Sequence, residues 1–351
     1  MSAARTHRLL FALVLAPLGA GCGLFTSPED GERFDAQAAL ADYEALSGML
    51  SSADLAALAA LGGRTPVAPG AAPPASNGRE HTAPALARPG SGAGLAPLIS
   101  GTHRGMTFVY DAAAGRWVQD PTRRGAPETG VRFVLYELDD QGVPISGREI
   151  GWADLIDEGD SSPEDIVLRL RVVTHGSIRL DYRTTVDVGL TWGKLGVLGF
   201  LRGEGTARLD FDIGVDARRS LGRTELDVEF DLALAARGFQ ATGSVRGLEE
   251  STGRAGEVHV SVRHRRHTLE VDATGAGGRI EGRVLLDGKL FATLSGDADS
   301  PTIVSADGDP LTPAEQLVLL RVVGTVDDIF QFVKNLVQPA GGLVLLGVML
   351  S

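Results

Sequence analysis

The chain has 351 residues, 22% of them charged, and a formal net charge of −12. An acidic surface repels phosphate backbones, which argues against nucleic acid as a partner. The single cysteine, Cys22, excludes an intramolecular disulfide, an absence that a core built from about 250 residues tolerates.

Arg5, His7 and Arg8 form a short basic region without an acid, Leu9 to Leu18 an apolar run, and Gly19-Ala20-Gly21 a small-residue stretch before Cys22. This is the order of an export signal. The apolar run is far shorter than the roughly 20 residues of a spanning helix, so it reads as a cleavable signal rather than an anchor. In these residues the chain resembles the bacterial lipoprotein class, in which the cysteine closing the lipobox is lipidated and cleavage occurs in front of it. Ala20 and Gly21 fill the small-residue positions, while Gly19 stands where the class usually carries Leu, with Leu18 one step earlier. The resemblance implies a signal peptide over 1–21, acylation at Cys22 and attachment to an envelope membrane. Gly23 rather than Asp after the cysteine implies sorting to the outer membrane of a two-membrane bacterium. An ordinary export signal with an incidental cysteine is the alternative.

Residues 22–63 favour helix: Ser27-Pro28-Glu29-Asp30 suits a cap, and Phe34, Leu40, Tyr43, Leu46 and Leu50 recur at near-helical spacing. Ser52 suits the cap of a second short helix, Ala53 to Leu61, closed by Gly62-Gly63. Residues 64–98 are rich in Ala, Pro and Gly with few large apolar groups. Such a stretch buries too little to offset its ordering entropy, and it reads as a disordered linker holding the folded part clear of the bilayer.

The region 99–351 reads as a β domain. Ile178, Leu180, Tyr182, Val186, Val188, Leu190 and Trp192 alternate with polar residues, and only Thr184 breaks the apolar row. Leu209, Phe211, Ile213 and Val215 repeat the pattern, as do Leu226, Val228, Phe230, Leu232 and Leu234. Period-two alternation marks strands with one dry and one wet face. Shorter stretches appear at Val131 to Leu138, Ile166 to Val173, Val258 to Val262, Thr268 to Ala273 and Arg279 to Leu286. Turn signals such as His175-Gly176 and Asp287-Gly288 separate them without intervening helices, which predicts an antiparallel meander of roughly ten strands. A helix closes the domain over 312–338, opened by the capping box Thr312-Pro313-Ala314-Glu315 and ended by Pro339. Leu343 to Leu350 reads as a buried strand.

One helix about 10–12 Å across covers only some two strand widths of the dry face. The rest must curl into an open or partly closed barrel, or receive the N-terminal helices, a subunit or an apolar ligand. In element order and anchor this is similar to the lipoprotein-carrier group of the bacterial envelope, whose unclosed barrels hold acyl chains. On that resemblance Ile213, Val228 and Phe230 are expected on an apolar face next to a ligand. An outer-membrane barrel with the apolar face outward is an alternative. Against it, the chain has few Trp and Tyr for girdles, and the acids from Asp210 to Asp231 would crowd a narrow lumen.

The densest polar cluster is Arg263-His264-Arg265-Arg266-His267, preceded by His259, at an expected hairpin turn. Neighbouring arginines disfavour a cation there, so no metal is expected. Arg263, His264, Arg265 and Arg266 are candidate contacts for lipid phosphates or an acidic partner, with a solvated turn as the plainer reading. Asp297, Asp299, Asp307 and Asp309 match no EF-hand series and read as turn chemistry. No G-x-S-x-G elbow, H-E-x-x-H or P-loop occurs, no cofactor is implied, and no catalytic residue stands out. Three functional classes stay open: a lipoprotein binding or carrying an apolar ligand, a structural or interaction lipoprotein with a filled core, and an enzyme revealed by a cleft of convergent His, Asp or Glu.

Overall fold

The computed structural model describes residues 34–50, 52, 55, 57–58, 99, 101–159, 165–203, 207–250, 253–297, 300–322, 328–329, 331–333 and 336. Cys22, the stretch 64–98 and the expected strand after Pro339 lie outside these residues. The first helix, α1, spans Ala36–Leu50. Strands follow as β1 (Met106–Asp111), β2 (Arg116–Gln119), β3 (Gly130–Leu138), β4 (Pro144–Asp157) and β5 (Asp165–Thr174). Next come β6 (Ser177–Val188), β7 (Trp192–Arg202), β8 (Arg208–Ser220), β9 (Arg223–Leu234) and β10 (Phe239–Glu250). The last are β11 (Gly253–His264), β12 (His267–Ala276), β13 (Arg279–Leu286), β14 (Lys289–Asp297) and β15 (Ser300–Ser305). Residues 313–322, 328–329, 331–333 and 336 are helical and are called α2.

All fifteen strands form one sheet in chain order from β15 to β3, then β1 and β2. Pairing is antiparallel except between β1 and β3. The expected meander is present and remains open, with β15 and β2 as its two edges. The sheet has more strands than the alternation alone announces, because β7 and β10 interleave glycines and carry apolar residues on both faces.

Register explains the dry face. Leu168, Thr184, Val197, Ile213, Phe230, Gly243, Val260, Val271, Val284 and Ala292 lie directly opposite one another across β5 to β14. Apart from Gly243 each is at most 5% exposed. Thr184, the break in the apolar pattern, therefore sits in the dry row and faces the core. Gly243 is required by its neighbour: a Cβ there would lie 2.6 Å from Cζ of Phe230, whose ring covers the glycine.

Among the described residues, α1 and α2 pack on this face, and Leu55, Ala57 and Leu58 are helical and buried as well. In α1 the Ala38 N–H donates to Asp35 Oδ1 at 2.9 Å, so Asp35 is the cap, a few residues later than the expected Ser27-Pro28-Glu29-Asp30. Ala39, Tyr43, Leu46 and Leu50 are buried on one stripe, and Tyr43 meets Phe239 edge to face at 5.1 Å. At α2 the capping box forms as expected: Thr312 N–H donates to Glu315 Oε2 at 2.7 Å, and Glu315 N–H to Thr312 Oγ1 at 3.3 Å. Phe332 packs edge to face on Phe211 at 5.2 Å, and the buried Tyr182 hydroxyl donates to Leu336 O at 2.5 Å.

Because α1 is seated on the sheet, residues from Asp35 onward form one compact unit. The first helix and the strands thus belong to the same unit. The Ala/Pro/Gly stretch joins two parts of the same unit.

Candidate functional site

Two broad concavities are ringed by residues of the polar face. One hollow of about 910 Å³ spans β7 to β13 and continues into a second of about 820 Å³. In the second, Glu225 and Asp227 form the wall while the intervening dry-face Leu226 does not, and the same holds for Arg279 and Glu281 around Ile280. The second hollow therefore opens on the wet side, while the first is lined by charged residues of the wet face with Leu195, Val215, Val228, Val245 and Val258 between them.

Two cross-strand rows build the first hollow. Lys194, Asp216, Asp227, Arg246, Glu257, Thr274 and Glu281 are successive opposites. Arg246 Nε donates to Asp227 Oδ1 at 2.7 Å, and Lys194 Nζ stands 3.8 Å from Asp216 Oδ2. The second row is Gly196, Gly214, Glu229, Ser244, His259, Asp272 and Arg283. The glycines leave its β7–β8 end without side chains. At the other end His259 Nδ1 lies 2.6 Å from Asp272 Oδ1, and Arg283 Nε donates to Asp272 Oδ2 at 3.0 Å. The His259 hydrogen bond, with help from Arg283 and against some burial, holds the Asp272 carboxyl below the usual carboxylate range.

Lys194, Arg246 and Arg283 face six acids around the hollow: Asp216, Asp227, Glu229, Glu257, Asp272 and Glu281. The walls are thus acidic, and a concave wall of one sign concentrates counter-charge. Ser244, His259 and Asp272 stand side by side on β10, β11 and β12. That is the residue set of a nucleophile, a base and an orienting acid. These strands are paired on both sides at these positions, so their backbone N–H groups are committed to the ladders and supply no oxyanion hole.

Of the residues singled out in the sequence, His259 and Val228 line the first hollow, and the arginine cluster falls elsewhere. Arg265, at φ 55, and Arg266 form the tight β11–β12 turn. Arg263 donates to Gln240 Oε1 at 2.8 Å, and Arg265 stands 4.0 Å from Asp35. His264 is 2% exposed on the dry face, its Nδ1 3.0 Å from Asp42 Oδ2 on α1. It faces the protein's own helix, so the contact expected from the cluster reduces to its arginines. Ile213, Val228 and Phe230 do lie on the dry face, and all three are buried. Asp307 accepts hydrogen bonds from the Ser305 hydroxyl and the Asp309 N–H, a local turn.

Sequence reading missed the hollow, because neighbours across a sheet are set by register. A signal was nevertheless present. A two-residue turn at Arg265-Arg266 pairs His264 with His267, and counting back along both strands pairs His259 with Asp272. Comparison with protein-family models, with curated protein sequences and with solved structures returns no match for this chain.

Proposed function

We propose that this chain is an envelope lipoprotein, acylated at Cys22 in the outer membrane, that holds a cationic polypeptide segment on its polar-face hollow. The lipoprotein part rests on the order of basic, apolar and small residues before the lone cysteine. The binding part rests on one observation: six acids and three cations ring the first hollow, whereas Ile213 and Phe230 are buried and do not line it. That favours an interaction protein with a filled core over an acyl carrier.

The test uses the purified full chain and a lysine-rich peptide as probe, followed by calorimetry at low and physiological salt. Binding that weakens with salt and is reduced by Glu229→Gln with Glu281→Gln supports the reading. No binding, or equal binding to a glutamate-rich peptide, overturns it. Acyl chains recovered by organic extraction of the same preparation would favour the carrier instead. Mass spectrometry of the mature N-terminus decides the Cys22 part separately.

The row Ser244, His259 and Asp272 favours a second reading, ester hydrolysis with Ser244 as nucleophile. Turnover of a small activated ester that disappears in Ser244→Ala supports it. Turnover unchanged by that substitution, or none, removes it.

A further inference from the structure

We infer that the hairpin tips β6–β7 and β8–β9 form a membrane-contact site for an anionic lipid surface. Both turns lie at the same end of the meander, two strands apart, so about 10 Å separates them. They are tied together, since the Arg219 N–H donates to Thr191 O at 2.7 Å. Leu221 at one tip is fully exposed and Leu190 at the other is 76% exposed. Trp192 is 39% exposed, and its indole folds over Gly189, where a Cβ would lie 2.2 Å from Nε1. Soluble surfaces rarely leave such side chains bare at adjacent tips.

The chemistry around them selects the occupant. The six residues Arg218-Arg219-Ser220-Leu221-Gly222-Arg223 hold three arginines and no acid in a chain of net charge −12. Of the acids that meet these arginines, Asp216 and Glu225 sit back from the turn on their strands, and Glu250 stands opposite Arg223 on β10. Leucine at a protruding tip, arginine just behind it and an indole alongside are the groups that partition into the headgroup boundary.

The site is independent of acylation and is tested on the full chain carrying Cys22→Ser. Vesicles of phosphatidylglycerol with brominated acyl chains quench an indole only where it enters the membrane. The expected result is quenching in these vesicles, little in phosphatidylcholine, and loss of the signal in Trp192→Phe, because Trp117 is buried and Trp152 lies under Arg132. Leu190→Ser with Leu221→Ser, both at exposed positions, is expected to weaken vesicle binding about tenfold or more. No quenching of Trp192, or binding unchanged in the double leucine variant, overturns the inference. So does self-association that is lost in that variant without any vesicle binding, which would assign the tips to a second copy of the chain.

Discussion

Asp42 of α1 and His264 of β11 meet at 3.0 Å, both buried, at the junction of the first helix with the middle of the sheet. The approach is off the hydrogen-bonding line, and among the described residues neither ring nitrogen of His264 has a hydrogen-bond partner. Arg237 supplies the second contact, donating to Asp42 Oδ1 at 2.8 Å. Asp42→Ala leaves the imidazole buried without its carboxylate and is expected to cost about 1–3 kcal/mol. Asp42→Leu with His264→Leu removes both polar groups and is expected to recover much of that loss. Urea denaturation of the three proteins measures it, and a double variant weaker than the single one contradicts this account.

Gly243 and Phe230 form a second such pair. Gly243→Ala drives a methyl into the Phe230 ring and to within 2.5 Å of the His259 carbonyl oxygen. The expected loss is about 1–3 kcal/mol from overpacking. Phe230→Ala opens a void instead, at about 3–5 kcal/mol. Combining the two should cost less than their sum, because the ring that the methyl strikes is gone. Strict additivity in thermal melts would mean the ring does not cover the glycine.

Ile213→Glu tests whether the dry face is filled. Its side chain has no exposure, and a carboxylate there is expected to cost several kcal/mol. Circular dichroism at neutral pH should show an unfolded or strongly destabilised chain. A folded variant with ordinary stability would mean that solvent reaches this face.

Asp272 gives a pH prediction with a defined sign. Its carboxyl is held below the ordinary value of about 3.9, so its contribution to stability is complete above that value. The contribution is lost as pH falls through the depressed one. Carboxyl NMR should show Asp272 titrating below about 3.9, and His259→Gln should raise it toward that value. Titration at or above about 3.9 in the unaltered chain contradicts the pairing.

Strands with a clean alternation were legible: β6, β8 and β9 each place apolar groups on one side and acids or arginines on the other. β7 was not, because Leu198 and Phe200 lie on its polar face while Gly193 and Gly199 fall on its dry face. β10 was obscured in the same way by Gly243 and Gly247, whose space is used by neighbouring side chains or left small. The burial of His264 was legible in principle. It continues the row Val258, Val260, Val262, and Asp42 lies on the α1 stripe with Ala39 and Leu46. Its place in a run of arginines disguised it as a surface residue. The hollow was the least legible, because its walls come from strands whose registers must all be known before any two neighbours can be named.

Under the proposed acylation at Cys22, the seating of α1 also bounds the length of the tether. Asp35, where the seated part begins, is thirteen residues on from Cys22. Even drawn out fully, at about 3.3–3.6 Å per residue, that leash is no longer than roughly 45 Å. With Cys22 acylated as proposed, residues 23–34 set an upper bound on the height of the sheet above the membrane. Each residue removed lowers that bound by about 3.3–3.6 Å. Shortening the Ala/Pro/Gly stretch after α1 leaves the bound unchanged, since that stretch runs between two points already on board.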